Sequence, residues 1–174
     1  MKRHALIVGE QGVGKSTLIA SVRRELAVPE AGIETVREAG LADERGAPIY
    51  IYRVGSLRRQ GPENLVARVG NEGKTSYPEV FDRYAGYLKE DISHCSLIIL
   101  DELGFLESDA AAFCGGVLDL LDGDVPVLAA VKPKNTPFLL AVRHHPKAEI
   151  FTIDESNRDI LAKQVLAFLR GQLN

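Results

Sequence analysis

Cysteine is scarce in this chain, basic charge is not in excess, and long apolar runs are missing. Only Cys95 and Cys114 carry thiols. They lie far apart, without the paired spacing of a zinc site or the density of a disulfide scaffold, and read as buried thiols. The net charge is −3 and the isoelectric point about 5.8. No overall basic field therefore draws the protein to nucleic acid or anionic lipid, and neither partner is expected. No stretch approaches the ~20 apolar residues of a membrane span. Met1-Lys2-Arg3 precedes an apolar run as a leader would, but Gly9-Glu10-Gln11 ends that run too soon, and the expected location is the cytoplasm. Repeats and low-complexity tracts are absent as well. With 174 residues and 45% hydrophobic content, the chain suits one globular domain over 1–174 that buries roughly two-thirds of its unfolded surface.

What is present is organised around Gly9-Glu10-Gln11-Gly12-Val13-Gly14-Lys15-Ser16, which fits G-x-x-x-x-G-K-[ST], the Walker A or P-loop pattern. It follows the apolar run Ala5-Leu6-Ile7-Val8 and precedes Thr17-Leu18-Ile19-Ala20, so strand, glycine loop and helix come in the required order. Glycines let successive backbone N–H groups turn inward as a concave anion nest. Lys15 adds a point charge for the β- and γ-phosphates, Ser16 offers a hydroxyl to Mg²⁺, and the following helix aims its N-terminal dipole at the same anion. Nucleotide contacts are assigned to Gly9, Glu10, Gln11, Gly12, Val13, Gly14, Lys15, Ser16 and Thr17.

The rest of the chain reads as an α/β protein. A helix over 16–27 buries Leu18, Ile19, Val22 and Leu26. Three β-like segments, about 33–38, 49–54 and 65–69, follow with no helix between them, which predicts an antiparallel meander inserted over about 32–70. Ser76-Tyr77-Pro78-Glu79 has the form of a capping box for a helix running to about Asp91. A strand over 96–100 and a helix over 108–121 come next, then a strand over 125–131 and a short helix capped by Thr136-Pro137. A strand over 149–153 and a last helix complete the chain. That helix is read as capped by Ser156, as burying Ile160, Leu161, Val165, Leu166 and Leu169, and as stopped by Gly171. The order predicts a mainly parallel sheet flanked by helices, with the ligand at the carboxyl ends of its strands.

The second chemical constellation is Leu97-Ile98-Ile99-Leu100-Asp101-Glu102, an apolar strand that delivers two carboxylates to its end as a Walker B strand does. Asp101 would join Ser16 at the metal, and Glu102, on the other side of the strand, would polarise an attacking water. Asp101-Glu102-Leu103-Gly104 also fits the D-x-x-G switch of GTPases, with Gly104 near the γ-phosphate. No N-K-x-D guanine reader follows, however, because that region is Val131-Lys132-Pro133-Lys134-Asn135-Thr136-Pro137. A further cation is needed for the transferring phosphoryl group. Arg37, Arg68, Lys132, Lys134 and Arg158 are candidates, and Lys132 leads because it follows a predicted strand end on the ligand side.

Over nearly its whole length the chain resembles the small nucleoside-triphosphatase family first described in thermophiles, whose animal member is called the cancer-related nucleoside-triphosphatase. The Walker segments carry part of the likeness. Gly32-Ile33-Glu34-Thr35-Val36-Arg37, Leu65-Val66-Ala67-Arg68-Val69-Gly70 and Ile150-Phe151-Thr152-Ile153-Asp154-Glu155-Ser156-Asn157-Arg158 make it specific. The resemblance implies a RecA-like P-loop fold with an added antiparallel portion. It also implies a Mg²⁺-dependent enzyme that converts ATP, GTP and other NTPs to the diphosphate with little base preference, and it makes Arg37 the second choice of catalytic cation. The stretch at 33–37 is shorter than the family's usual one, and residues 53–64 are rearranged. Two other readings stand beside hydrolysis. One is a P-loop kinase whose acceptor sits under a lid formed by Arg53, Arg58 and Arg59. The other is a nucleotide-gated module for a protein partner whose identity the sequence does not reveal.

Overall fold

The computed structural model describes residues 1–173. Eight strands form one sheet: β1 (His4–Val8), β2 (Glu30–Arg37), β3 (Ala47–Arg53), β4 (Leu65–Gly70), β5 (Gly73–Ser76), β6 (Leu97–Leu103), β7 (Val127–Val131) and β8 (Ala148–Thr152). Five α-helices, α1 (Lys15–Leu26), α2 (Pro78–Asp91), α3 (Ala111–Asp122), α4 (Pro137–Arg143) and α5 (Arg158–Leu173), and two short 3₁₀ helices, Ala39–Leu41 and Ile92–His94, complete the elements among the described residues. The strand order is β5-β4-β3-β2-β6-β7-β1-β8. From β2 to β8 all neighbours are parallel, and from β5 to β2 all are antiparallel.

Alternation along the strands divides the core. Ala5, Ile7, Leu97, Ile99, Leu128 and Ala130 pack beneath α1 and α5. Leu6, Val8, Ile98, Leu100 and Ala129 pack on the other face, against α2, α3 and α4. β6 is therefore apolar on both sides until it reaches Asp101, as expected of a central parallel strand. β7 separates the strand that feeds the P-loop from the strand that carries the acid pair. Both ends still open on the same rim of the sheet, because these strands run parallel.

Several local expectations need correction. β2 belongs to both halves, since it pairs antiparallel with β3 and parallel with β6. Gly32 makes this possible: its φ is +122°, and a Cβ there would meet the Ile99 carbonyl oxygen at 2.0 Å. A fourth antiparallel strand, β5, follows β4 across a tight turn and reads as polar throughout, so no apolar pattern announces it. Ser76 ends β5 and caps nothing. Pro78 begins α2 after Tyr77, with no side-chain cap. Residues 108–110 form a turn ahead of α3. The hydroxyl of Ser156 donates to Asp154 in the loop before α5 and does not cap the helix, which also runs past Gly171. Ile160 faces solvent at 64% exposure, and the buried face of α5 is Leu161, Val165 and Leu169. Both thiols are free and half-buried. Thr136 does cap α4, accepting the Leu139 N–H at 3.2 Å, with Pro137 at the first helical position.

Candidate active site

Three turns at the carboxyl ends of β1, β6 and β7 converge. The loop after β1 takes positive φ at Gly12 (77°) and Gly14 (107°), and Gly14 leads into α1. Gly9 has a different reason to be glycine, because a Cβ there would meet the Ile153 side chain at 2.6 Å. Lys15 is 4% exposed. Its ammonium group donates to the carbonyls of Gly9 at 2.7 Å and Glu10 at 2.8 Å, and it lies 3.0 Å from Glu102 Oε2.

The acid pair splits across the strand as expected. Asp101 turns toward α1, where the Ser16 hydroxyl donates to its Oδ1 at 3.0 Å. Burial pushes the Asp101 carboxyl up to about 6, against the pull of the Ser16 hydrogen bond and with help from the Glu102 charge. Glu102 faces the ammonium groups. Its Oε1 lies 3.3 Å from Lys132 Nζ, so one carboxylate spans two cations. The Glu102 amide donates to Thr35 Oγ1 on β2 at 3.2 Å. Lys132 follows β7 directly, and its amide donates to the Leu103 carbonyl at 2.9 Å. Arg143 on α4 steadies the next turn by donating to the carbonyls of Lys132 and Lys134. Gly104 donates its N–H to Glu107 Oε1 at 2.5 Å and lies against the Lys132 side chain.

The remaining assignments separate in space. Arg37 does not touch Glu102; its guanidinium reaches the Val69 carbonyl at 3.4 Å and lines a cavity shared with Glu102, Lys132 and Gln11. Arg68 is paired with Asp43 at 3.1 Å, away from the P-loop. Arg158 approaches the P-loop by donating from Nε to the Val13 carbonyl at 2.7 Å. Ser16 and Thr17 are exposed on the first turn of α1. The proposed lid does not form a phosphate grip. Arg53 is paired with Asp91 and stacked on Tyr87, and Arg58 is paired with Glu34 and lies over Tyr52. That loop follows the end of β3 that points away from the P-loop, because β3 runs against β2.

Sequence reasoning passed over Thr35, Arg143 and Glu107. Thr35 meets the Glu102 amide across 67 positions of chain, Arg143 reaches back from α4, and the Glu107 contact is local but sits in no recognised motif. A wide cleft of about 650 Å³ between the 38–46 and 70–73 turns draws its walls from Asp43, Glu44, Arg45, Glu72 and Lys74. Its charges are of mixed sign, and it contains neither Walker segment, so chemistry is better sited at Glu102.

Known proteins share this arrangement of the chain. Nucleoside-triphosphatase THEP1 of Thermotoga petrophila is 29% identical, over 97% of this chain and 96% of its own. The protein of the same name from Methanosarcina barkeri is 28% identical, over 91% and 92%. Among solved structures, THEP1 from the hyperthermophile Aquifex aeolicus superposes with a TM-score of 0.68 at 22% identity, covering 97% of this chain and 99% of that one. A human cancer-related nucleoside triphosphatase gives 0.69 at 23%, covering 97% and 98%. These two likenesses show that the fold is shared. The sequence model of the family described as NTPase matches residues 4–166, nearly the whole chain, and this protein therefore belongs to that NTPase family and is an enzyme of it.

Proposed function

We propose that the protein hydrolyses nucleoside 5′-triphosphates, ATP, GTP and others, to the diphosphate and phosphate, with Mg²⁺ and with little base selectivity. The observation that carries this reading is the Glu102 carboxylate spanning Lys15 and Lys132 at 3.0 and 3.3 Å, beside the Ser16–Asp101 pair.

The donor set fits a hard divalent cation. Asp101 is a half-buried carboxylate whose hydrogen-bond partner is the neutral Ser16 hydroxyl, and burial raises its pKa, a cost that a bound cation would offset. Among the described residues no three His, Cys, Asp or Glu side chains gather into a self-contained metal cage. That is the expected arrangement where Mg²⁺ takes one or two protein oxygens and the rest from phosphates and water. Bound by Ser16 and Asp101, the ion would neutralise charge on the β- and γ-oxygens.

The other residues divide the work. Phosphate oxygens compete with the Gly9 and Glu10 carbonyls for the Lys15 ammonium, which then offsets charge on the γ-phosphoryl group. Glu102 orients a water and accepts its proton as the bond to the β-phosphate breaks. Lys132, beside that carboxylate, stabilises charge on the phosphoryl group in transit. Arg37, farther out, would act on the same charge through the shared cavity. Low base selectivity is supported by Arg158, whose guanidinium lies against the P-loop and presents a flat cation that favours any aromatic base alike. The activity is proposed to be cytoplasmic, on the grounds of composition given above.

Glu102→Gln tests the central role. Phosphate release should fall at least about 10²-fold while NTP binding, measured by fluorescence of a labelled nucleotide, is retained. Chelation of the metal should stop turnover of the unaltered protein. Normal phosphate release by Glu102→Gln would remove Glu102 from the mechanism.

A further inference from the structure

Hydrolysis needs room for one water beside Glu102, yet the space there is larger. A cavity of about 150 Å³ opens onto Glu102 and Lys132, with Gln11 and Arg37 among its polar walls. A water in the liquid takes up about 30 Å³, whereas a cavity of this size accommodates one benzene ring. Opposite the polar residues the walls are apolar: Ile49, Phe81, Phe105 and Leu106. Phe105 is held in place by two cations, Lys74 at 4.0 Å and Lys132 at 5.5 Å from the ring centre. Such a wall offers nothing to water and suits a flat carbon skeleton.

Glu107 supplies the second observation. It lines this cavity and is only 3% exposed. Its carboxyl group accepts backbone N–H groups, that of Gly104 at 2.5 Å on Oε1. Burial pushes its carboxyl up to about 7. A carboxyl group so deeply buried is costly to ionise, and the hydrolytic mechanism gives it no role.

We propose that this cavity binds a phosphoryl acceptor, a primary alcohol carried on a small heteroaromatic ring, and that the enzyme transfers the γ-phosphoryl group to it. The inference rests on the phosphoryl-transfer reading above. The acceptor oxygen forms a bond to the γ-phosphorus as the bond from that phosphorus to the β-phosphate oxygen breaks. The electron pair leaves with the nucleoside diphosphate, and the hydroxyl proton passes to Glu102. The ring lies against Ile49, Phe105 and Leu106, and a ring nitrogen accepts a hydrogen bond from the protonated Glu107 carboxyl group, which positions the alcohol without touching the reacting atoms. This places the acceptor on the Glu102 side of the molecule and not under the Arg53–Arg59 loop.

The test uses γ-labelled ATP with Mg²⁺ and the full chain, and it follows both ADP formation and label in the alcohol. The probes are pyridinemethanol and imidazolemethanol, with benzyl alcohol as the ring lacking nitrogen and glycerol as the hydroxyl lacking a ring. We expect a heteroaromatic alcohol to raise ADP formation at least tenfold and to acquire the label, with glycerol inert. Leu106→Trp, which fills the cavity, should abolish that stimulation and leave acceptor-free hydrolysis within twofold. Glu107→Leu, which removes the donor, should weaken the heteroaromatic alcohols about tenfold in KM and leave benzyl alcohol unchanged, a split that a merely structural role would not produce. Binding of the alcohols to the unaltered protein, followed by ligand-observed NMR, does not depend on any variant folding. Steady ATP hydrolysis with neither acceleration by nor binding of any ring alcohol would overturn the acceptor site and leave the hydrolase reading intact. Absence of turnover under every condition would overturn the phosphoryl-transfer reading itself.

Discussion

At the scale of single residues, the site is a short arrangement of opposite charges. Glu102 is offset by Lys15 and Lys132, whereas Asp101, one residue earlier, has only the Ser16 hydroxyl in direct contact. Two adjacent acids therefore stand in different environments, one among cations and one beside a hydroxyl, which underlies the separate roles proposed for them. Lys132 follows β7, the strand between the P-loop strand and the acid strand, which puts its ammonium 3.3 Å from Glu102 Oε1. Lys132→Met should lower kcat about 10²- to 10³-fold, the usual cost of removing one transition-state donor, with nucleotide affinity nearly unchanged. Steady-state kinetics beside a binding titration would check the split. The position of Lys132 was legible because a cation directly after a buried strand stands at the carboxyl end of the sheet, where Glu102 also lies. Thr35 was not, since only the pairing of β2 with β6 brings it to the Glu102 amide.

Elements place those residues, and β2 is the hinge of the architecture. It closes the parallel half against β6 and opens the antiparallel half against β3. Its position depends on Gly32, whose backbone passes so near Ile99 that any side chain would collide with a carbonyl oxygen. Gly32→Ala should cost at least about 3 kcal/mol, from strain at positive φ together with overpacking, read as a fall in the denaturation midpoint. The same substitution at Gly115, on α3 with open space around it, should be neutral or slightly stabilising, since alanine favours helix. Periodicity revealed the amphipathic helices and the apolar central strands, because burial on one or both faces leaves a regular imprint. It failed at β5, which is polar, short and stabilised by pairing with β4 alone. Helix ends were also misplaced where a proline or a backbone turn, with no capping hydroxyl, sets the boundary.

For the whole molecule, two buried titrating groups pull the pH dependence of stability in opposite directions. His4 is buried between strand and helix, with Nε2 2.8 Å from the Leu121 carbonyl and Nδ1 accepting the Val127 N–H at 3.2 Å, which requires the neutral ring protonated at Nε2. Burial lowers its pKa from 6.5 to about 4. The unfolded chain thus binds a proton that the folded one refuses, and the stability from His4 is lost as pH falls from 6.5 toward 4. Glu107 does the reverse. Raised from 4.5 to about 7, it holds a proton in the folded state that the unfolded chain releases, so its contribution is lost as pH rises through that window. Urea denaturation across pH 4.5 to 7 should show Glu107→Gln gaining on the unaltered protein as pH rises, by on the order of 2–3 kcal/mol at the upper end. His4→Gln should lose least at the acid end. The sequence alone determined the glycine loop between strand and helix, the adjacent acids at a strand end and the α/β class, because each is encoded in contiguous residues whose spacing carries its own physical reason. Tertiary structure decided which cation meets Glu102, which strand joins the two halves of the sheet, and that a cavity with a buried acid stands beside the reacting centre. Those outcomes depend on strand order and on side chains brought together from distant parts of the chain, and no local pattern records them.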